Sequence, residues 1–164
     1  MSEDLTIDLT CRTYRDEKDY QAVAGLMSAA ALVDGPENAR TTEEVRQLLS
    51  GPLALPEENL FLFEVKGQLV AYGRIELEEG PGKSAFFMRG TVHPDWRRRG
   101  IGTRGIARLE QRIQERLGEA TQQAVEANAW TNQKHEDRQA LFRKMGYELA
   151  RYVFDMERTL HEEG

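Results

Sequence analysis

Between Ala85 and Thr103 the chain passes from an apolar run, Ala85-Phe86-Phe87-Met88, through Arg89-Gly90 into Thr91-Val92-His93-Pro94-Asp95-Trp96-Arg97-Arg98-Arg99-Gly100-Ile101-Gly102-Thr103. A helical pattern follows at once. Three consecutive arginines and two glycines therefore stand where a strand hands over to a helix. Small residues at such a handover let backbone N–H groups approach an anion closely. The helix N-terminus adds a partial positive charge and the arginines add full ones. The stretch predicts a turn that holds phosphates, in a chain that mixes strands and helices.

The flanking patterns extend this to a fold class. Leu5, Ile7, Leu9 and Cys11 alternate with Thr6, Asp8 and Thr10, which predicts a strand over Thr6–Tyr14 with Cys11 a small residue inside it. Asp16 can cap a helix on which Tyr20, Val23, Ala24, Met27 and Ala31 recur at helical spacing, and Asp34-Gly35-Pro36 breaks it. Thr41 with Glu44 forms a capping-box pattern that opens a short helix through Leu49, ended by Gly51-Pro52. Asn59–Val65 and Gln68–Glu78 read as a hairpin around Lys66-Gly67. On its second strand Ala71, Gly73, Ile75 and Leu77 face one way, and Val70, Tyr72, Arg74, Glu76 and Glu78 the other. Ser84–Val92 reads as a buried central strand.

After Gly102, Ile106, Leu109, Ile113 and Leu117 form one helical stripe, closed by Gly118. Gln122–Ala129 is a weaker strand, Asn132–Asp137 a polar connection and Arg138–Met145 a helix capped by Gly146. Tyr147–Arg158 predicts one or two closing strands, with Leu149, Tyr152 and Phe154 as their apolar residues. The order β-α-α-β-β-β-α-β-α-β predicts a mixed α/β domain over residues 1–164.

Composition narrows the function. A net charge of -6 over 164 residues disfavours a nucleic-acid partner, so the arginine cluster is a local exception on an acidic molecule. No apolar run approaches the roughly 20 residues needed to cross a bilayer, and Met1-Ser2-Glu3-Asp4 is acidic rather than signal-like, so the expectation is a cytoplasmic protein with no membrane partner. The single cysteine has no His-rich cluster nearby, so no metal is expected. Gly100-Ile101-Gly102-Thr103-Arg104-Gly105 also matches the dinucleotide pattern G-x-G-x-x-G. Its context argues against that reading. Pro94–Arg99 separates it from the strand, and only about sixty residues follow, too few for the rest of a doubly wound sheet. No Gly-Lys-Ser/Thr ends the turn, which removes a P-loop.

At Val92-His93-Pro94-Asp95-Trp96-Arg97-Arg98-Arg99-Gly100-Ile101-Gly102 the chain resembles the GNAT superfamily of acyl-CoA N-acyltransferases, whose signature is a strand ending Val-x-Pro, a loop, then Arg/Gln-x-x-Gly-x-Gly/Ala. A second family pattern, an aliphatic–aromatic pair followed by Gly-aromatic at the last helix, stands at Leu141-Phe142-Arg143-Lys144-Met145-Gly146-Tyr147. The resemblance implies a twisted, mostly antiparallel sheet, splayed between the strand ending at Val92 and the strand near Val125–Ala129, with about four flanking helices. It implies acetyl-CoA in the splay. Backbone groups of Thr91 and Val92 would meet the pantetheine arm, and amides from Arg97 to Thr103 (Arg97, Arg98, Arg99, Gly100, Ile101, Gly102, Thr103) the pyrophosphate. One of the three arginines would reach the 3′-phosphate. Asn132 would contact the cofactor from the last loop, with Asn128 its competitor.

The activity so implied is transfer of an acetyl group from acetyl-CoA to a primary amine, on a small molecule or a peptide, by direct attack in a ternary complex. For the base, Glu76, Glu78 and Glu126 are the candidates, with Glu76 and Glu126 preferred. Each also reads as a solvated strand charge, and His93, just past the strand end, as a structural histidine. The family's tyrosine acid falls on Phe142, which has no proton to give. Tyr147, Tyr152 or water is then left to protonate the thiolate. Trp96 and Trp130 read as packing residues, although Trp96 at a loop tip could instead cover the cofactor. The acidic Glu43, Glu44, Glu76 and Glu78 lean toward a cationic amine. A CoA-binding module with little catalysis is the alternative, and a dinucleotide-binding protein the remote one. Met156–Gly164 resembles the linker of tandem two-module members, so a second GNAT module, or a homodimer, is an expected partner.

Overall fold

The computed structural model describes residues 7–51, 54–80, 83–117, 125–129 and 135–149, excluding the side chains of 78–80, 83–84, 117 and 125–126. In chain order the elements are β1 (Leu9–Thr13), α1 (Glu17–Asp34), a 3₁₀ turn (Pro36–Asn38), α2 (Thr42–Leu49), α3 (Pro56–Asn59), β2 (Leu60–Val65), β3 (Gln68–Gly80), β4 (Lys83–Val92), a 3₁₀ turn (Pro94–Trp96), α4 (Ile101–Leu117), β5 (Val125–Ala129) and α5 (Glu136–Lys144). The strands form one sheet in the order β1-β2-β3-β4-β5. Every pair is antiparallel except β4 with β5, which is parallel and joined by the α4 crossover.

Local signals placed most of these elements. The Asp16 side chain accepts from the Lys18 amide and starts α1. The Thr41 hydroxyl accepts from the Glu44 N–H, and the Glu44 carboxylate accepts from the Thr41 N–H, closing the capping box of α2. Lys66 and Gly67 have φ of 51° and 78°, as a two-residue type I′ hairpin requires.

Two clusters of side chains hold the sheet. On one face α4 lays Ile106, Leu109 and Ile113 against Phe61, Phe63, Ala71, Ile75 and Met88. It lies close, since a Cβ at Gly73 would stand 3.1 Å from Leu109 Cδ1. On the other face α1 and α2 bring Tyr20, Val23, Met27, Val45 and Leu49 onto Leu60, Leu62 and Tyr72. The buried Asp19 is held there by a two-pronged Arg12 pair at 2.7 and 3.0 Å and by the Arg15 amide at 2.8 Å.

The structure departs from the sequence pattern in five places. The first strand is Leu9–Thr13, shorter than Thr6–Tyr14, and Cys11 is exposed on it, because β1 is the sheet's edge. Val70 joins the α4-side cluster with Ala71 rather than the opposite face. Register slips between Phe63 and Glu64, so Val70 is an extra residue in β3 that reverses the alternation before Ala71. The last helix begins at Glu136 rather than Arg138. The four-residue α3 was not foreseen. Tyr147–Leu149 form no strand, and the remaining closing residues, with Gly118, lie outside the described residues.

Candidate active site

β4 and β5 pair only from Ser84↔Val125 to Met88↔Ala129, while β4 runs on to Val92. Beyond Met88 the β5-facing edge of β4 has no strand partner among the described residues. This is the splay. The backbone groups that face it follow from register. His93 N–H donates to Val70 O at 2.8 Å, which makes that pair hydrogen-bonded. Alternation then turns the backbone of Thr91 toward Tyr72 on β3 and that of Gly90 and Val92 toward the gap. Of the two residues named for the pantetheine arm, Thr91 has its backbone groups on the β3 side, whereas those of Val92, like those of Gly90, face the gap, with Val92 O also accepting from Arg97 Nε.

The turn after β4 is built from both ends. His93 Nδ1 accepts from the Asp95 amide at 3.1 Å and caps the Pro94–Trp96 3₁₀ turn, the structural role expected of it. Arg98 and Gly100 then take left-handed φ of 62° and 80°, and α4 starts at Ile101. The amides of the first turn of α4 have no intrahelical acceptor and carry the positive end of the helix dipole. At Gly102 a Cβ would stand 2.8 Å from Leu141 Cδ2, so this glycine also lets α5 approach the start of α4.

The three arginines differ. Arg97 donates to both Asp34 oxygens, at 2.7 and 2.6 Å, and from Nε to Val92 O at 3.1 Å. It ties the C-terminal end of α1 to the turn, and in doing so holds the Asp34 carboxyl below its usual range, against the opposing effect of burial. Arg98 reaches Asp137 at 3.2 Å between two exposed side chains. Arg99 stacks 4.9 Å from the Trp96 ring centroid. Trp96 is half-buried against the α4-side cluster and also borders the cleft, so it packs and faces the opening at once.

These elements enclose a cleft of about 1150 Å³, bordered by β3, β4, the arginine turn, α4, α5 and the C-terminal end of α1. Thr91, Val92, Arg97, Arg98, Gly100, Ile101, Gly102 and Thr103 border it, as do Glu76 and Phe142. Glu76 sits between two guanidiniums, ion-paired to Arg74 and 3.8 Å from Arg89 Nε. Glu126 pairs with Ala85, three residues before the sheet opens, roughly 10 Å along the strand. Asn128 lies in the paired part, opposite Phe87. Asn132, Trp130 and Tyr152 fall outside the described residues, and so does the side chain of Glu78. Tyr147 is turned to α4, where its hydroxyl donates to Glu110 Oε1 at 2.8 Å; burial first and then Glu110 push its pKa up.

The sequence reading passed over three residues. Tyr72 lines the cleft from β3, and burial pushes its hydroxyl pKa up against the pull of Arg74, Arg138, Arg89 and Arg40. Arg74, next on that face, is a charged residue only 6% exposed. Arg138 reaches from α5 to Thr91 Oγ1 at 3.5 Å. The strand alternation had put Tyr72, Arg74 and Glu76 on one face, but nothing local pointed to Arg138. Among the described residues there is no group of three or more His, Cys, Asp or Glu that could hold a metal, and no helix long and apolar enough to cross a membrane.

Comparison with known proteins agrees with this geometry. Residues 56–149 match the family model of the acetyltransferase (GNAT) domain. The mycothiol acetyltransferase of Geodermatophilus obscurus is 28% identical over 145 residues, which cover 88% of this chain and 43% of that protein. Thus the chain spans less than half the length of that curated relative. A GCN5-related N-acetyltransferase from Sphaerobacter thermophilus superposes with a TM-score of 0.71 at 24% identity, over 85% of this chain and 43% of that one. A protein from Clostridium acetobutylicum described as a predicted acetyltransferase, solved with acetyl-CoA, superposes with a TM-score of 0.68 at 17% identity over 91% and 96% of the two chains. With the family model covering more than half of its length, and with the splayed sheet and arginine turn in place, the chain belongs to the GNAT acetyltransferase family.

Proposed function

We propose that this protein transfers an acetyl group from acetyl-CoA to a primary amine within a ternary complex. The observation that carries the reading is the open β4 edge at Gly90 and Val92 leading straight into the amide-rich start of α4. An extended amide-bearing arm followed by a pyrophosphate fits that sequence of groups. The arm would take the backbone groups of Gly90 and Val92, and the pyrophosphate the amides from Arg98 to Thr103. Arg98 and Arg99 are the side chains free of a buried partner and suited to the remaining phosphate.

Acetyl-CoA supplies the thioester. The amine lone pair attacks its carbonyl carbon, the C–S bond breaks, and the proton lost from nitrogen ends on sulfur. The chain must position the amine, favour its neutral form and stabilise the developing oxyanion. A main-chain N–H at the open edge suits the oxyanion. Phe142 borders the cleft where the family's tyrosine is expected and donates nothing. The phenol that borders the cleft among the described residues, Tyr72, keeps its proton at neutral pH, because burial raises its pKa. Among the described side chains, Glu76 is the base candidate that borders the cleft, ion-paired to Arg74 and near Arg89.

The test is release of free CoA from acetyl-CoA across a panel of amines, read with a thiol reagent. Amine-dependent thiol release is expected. The phenylalanine at position 142 favours a second reading, a module that binds CoA without useful catalysis. Tight CoA binding by calorimetry with no thiol release from any amine would establish that instead.

A further inference from the structure

We propose that the acceptor amine carries an anionic group, a carboxylate or phosphate, which Arg74, Arg89 and Arg138 hold on the α1 face of the splayed sheet. This inference rests on the acetyl-transfer reading and names its acceptor class. Tyr72 and Arg74 on β3 stand opposite Thr91 and Arg89 on β4, so all four side chains share one face. Arg138 arrives on that face from α5, reaching Thr91 Oγ1. Arg89 lies three residues before Val92, roughly 10 Å back along β4 from the phosphate turn. The cluster is therefore separate from the phosphate end of the cleft.

Its counter-charge falls short. Among the described side chains, Glu76 serves both Arg74 and Arg89. Asp34, the carboxylate at the C-terminal end of α1 that faces Arg138, is taken by both prongs of Arg97. Among the described residues no carboxylate lies within ion-pair distance of Arg138. Burial and the neighbouring Arg97 both disfavour its charge, with Asp34 in partial opposition. The Nε of Arg74 is buried and has no hydrogen-bond partner among the described residues.

An acceptor anion supplies the missing charge, and guanidiniums bind carboxylate and phosphate oxygens through paired N–H donors. The same cations depress the pKa of a nearby ammonium, which favours the neutral nucleophile that the reaction needs. A polycationic acceptor would meet like charge on this wall. Of the described acidic residues that leaned toward a cationic amine, Glu43 and Glu44 do not border the cleft and Glu76 is already engaged.

The experiment uses matched acceptors with acetyl-CoA: glutamate against glutamine amide, and phosphoethanolamine against ethanolamine, with a polyamine as the cationic arm. The two anionic members separate carboxylate from phosphate. At least one anionic member should exceed its neutral partner in kcat/KM by about tenfold or more. In Arg89→Gln and Arg138→Gln that ratio should fall toward one through the acceptor KM, with a smaller change in the acetyl-CoA KM. Preference for the polyamine, or an equal rise in the acetyl-CoA KM, would overturn the proposal. If no amine turns over, calorimetry with CoA present decides. Binding of glutamate or phosphoethanolamine that is lost in Arg89→Gln keeps the acceptor site and rejects acetyl transfer. Binding of neither rejects the acceptor site.

Discussion

At the scale of single residues, the three arginines of the turn are chemically alike and structurally distinct. Arg97 is a tie. Removing it leaves the mostly buried Asp34 without its partner, so Arg97→Ala should cost about 1.5–3 kcal/mol of stability as well as cofactor affinity. Arg98 and Arg99 are held only by an exposed ion pair and a ring contact. Their joint replacement by alanine should leave stability within about 1 kcal/mol and weaken acetyl-CoA more than a pantetheine fragment that lacks phosphates. Thermal melts and calorimetry on the two ligands separate these outcomes, and equal losses for both ligands would assign Arg98 and Arg99 to folding. Phe142 is the second residue of note. Its ring meets Tyr147 edge-on at 5.5 Å and also borders the cleft, so Phe142→Tyr adds a hydroxyl at little steric cost. Turnover should rise, by no more than about 10²-fold since a thiolate already leaves readily, with the acetyl-CoA KM little changed. Steady-state kinetics with an unchanged kcat would show that thiolate protonation does not limit the rate.

At the scale of elements, what the sequence revealed was what neighbouring residues decide. The capping box of α2, the Asp16 cap, the Lys66-Gly67 hairpin and the apolar stripe of α4 each lie within a few residues of chain, and each stands where its pattern put it. The misplaced features depend on distant partners. Val70 changes face because β2 and β3 slip register, and the period-two pattern of β3 alone carries no sign of that. Arg97 finds Asp34 at a separation of 63 residues, and Arg138 finds Thr91 at 47, so neither role could be read from its own segment. The arginine turn was legible because its glycines and cations are contiguous, whereas Arg74, Arg89 and Arg138, the wall proposed for the acceptor, come from two strands and a helix. The hairpin also offers a test. Lys66 holds φ of 51°, a conformation that asparagine adopts more cheaply than lysine. Lys66→Asn should stabilise the fold by about 0.5–1 kcal/mol and raise the melting midpoint by roughly 1–4 °C. A lower midpoint in differential scanning calorimetry would mean that the lysine stem contributes more than the turn conformation.

At the scale of the whole molecule, the charge distribution sets a pH window. The chain is acidic overall, yet its cleft collects guanidiniums, and the little-exposed carboxylates Asp19 and Asp34 are tied to Arg12 and Arg97. Asp34 lies below its usual pKa because of Arg97. For Asp19 burial works the other way, but Arg12 and the Arg15 amide outweigh it and leave that pKa lowered too. Groups with depressed folded values contribute stability that is fully present above their unfolded pKa near 4 and is lost as the pH falls through the folded values. At the alkaline end the order inverts. Burial raises the pKa of Tyr20, Tyr72 and Tyr147, so their contribution is complete below an unfolded value near 10 and disappears as the pH climbs through the folded ones. Denaturant midpoints should therefore be nearly flat between about pH 5 and 9 and fall outside that range. Asp34→Asn should lower the plateau and flatten the acid limb, because the amide cannot ionise and so has nothing to lose on acidification. An acid limb of unchanged steepness in Asp34→Asn would place the linkage in Asp19 alone. It would also make the Arg97 tie a matter of geometry for the turn rather than of stability.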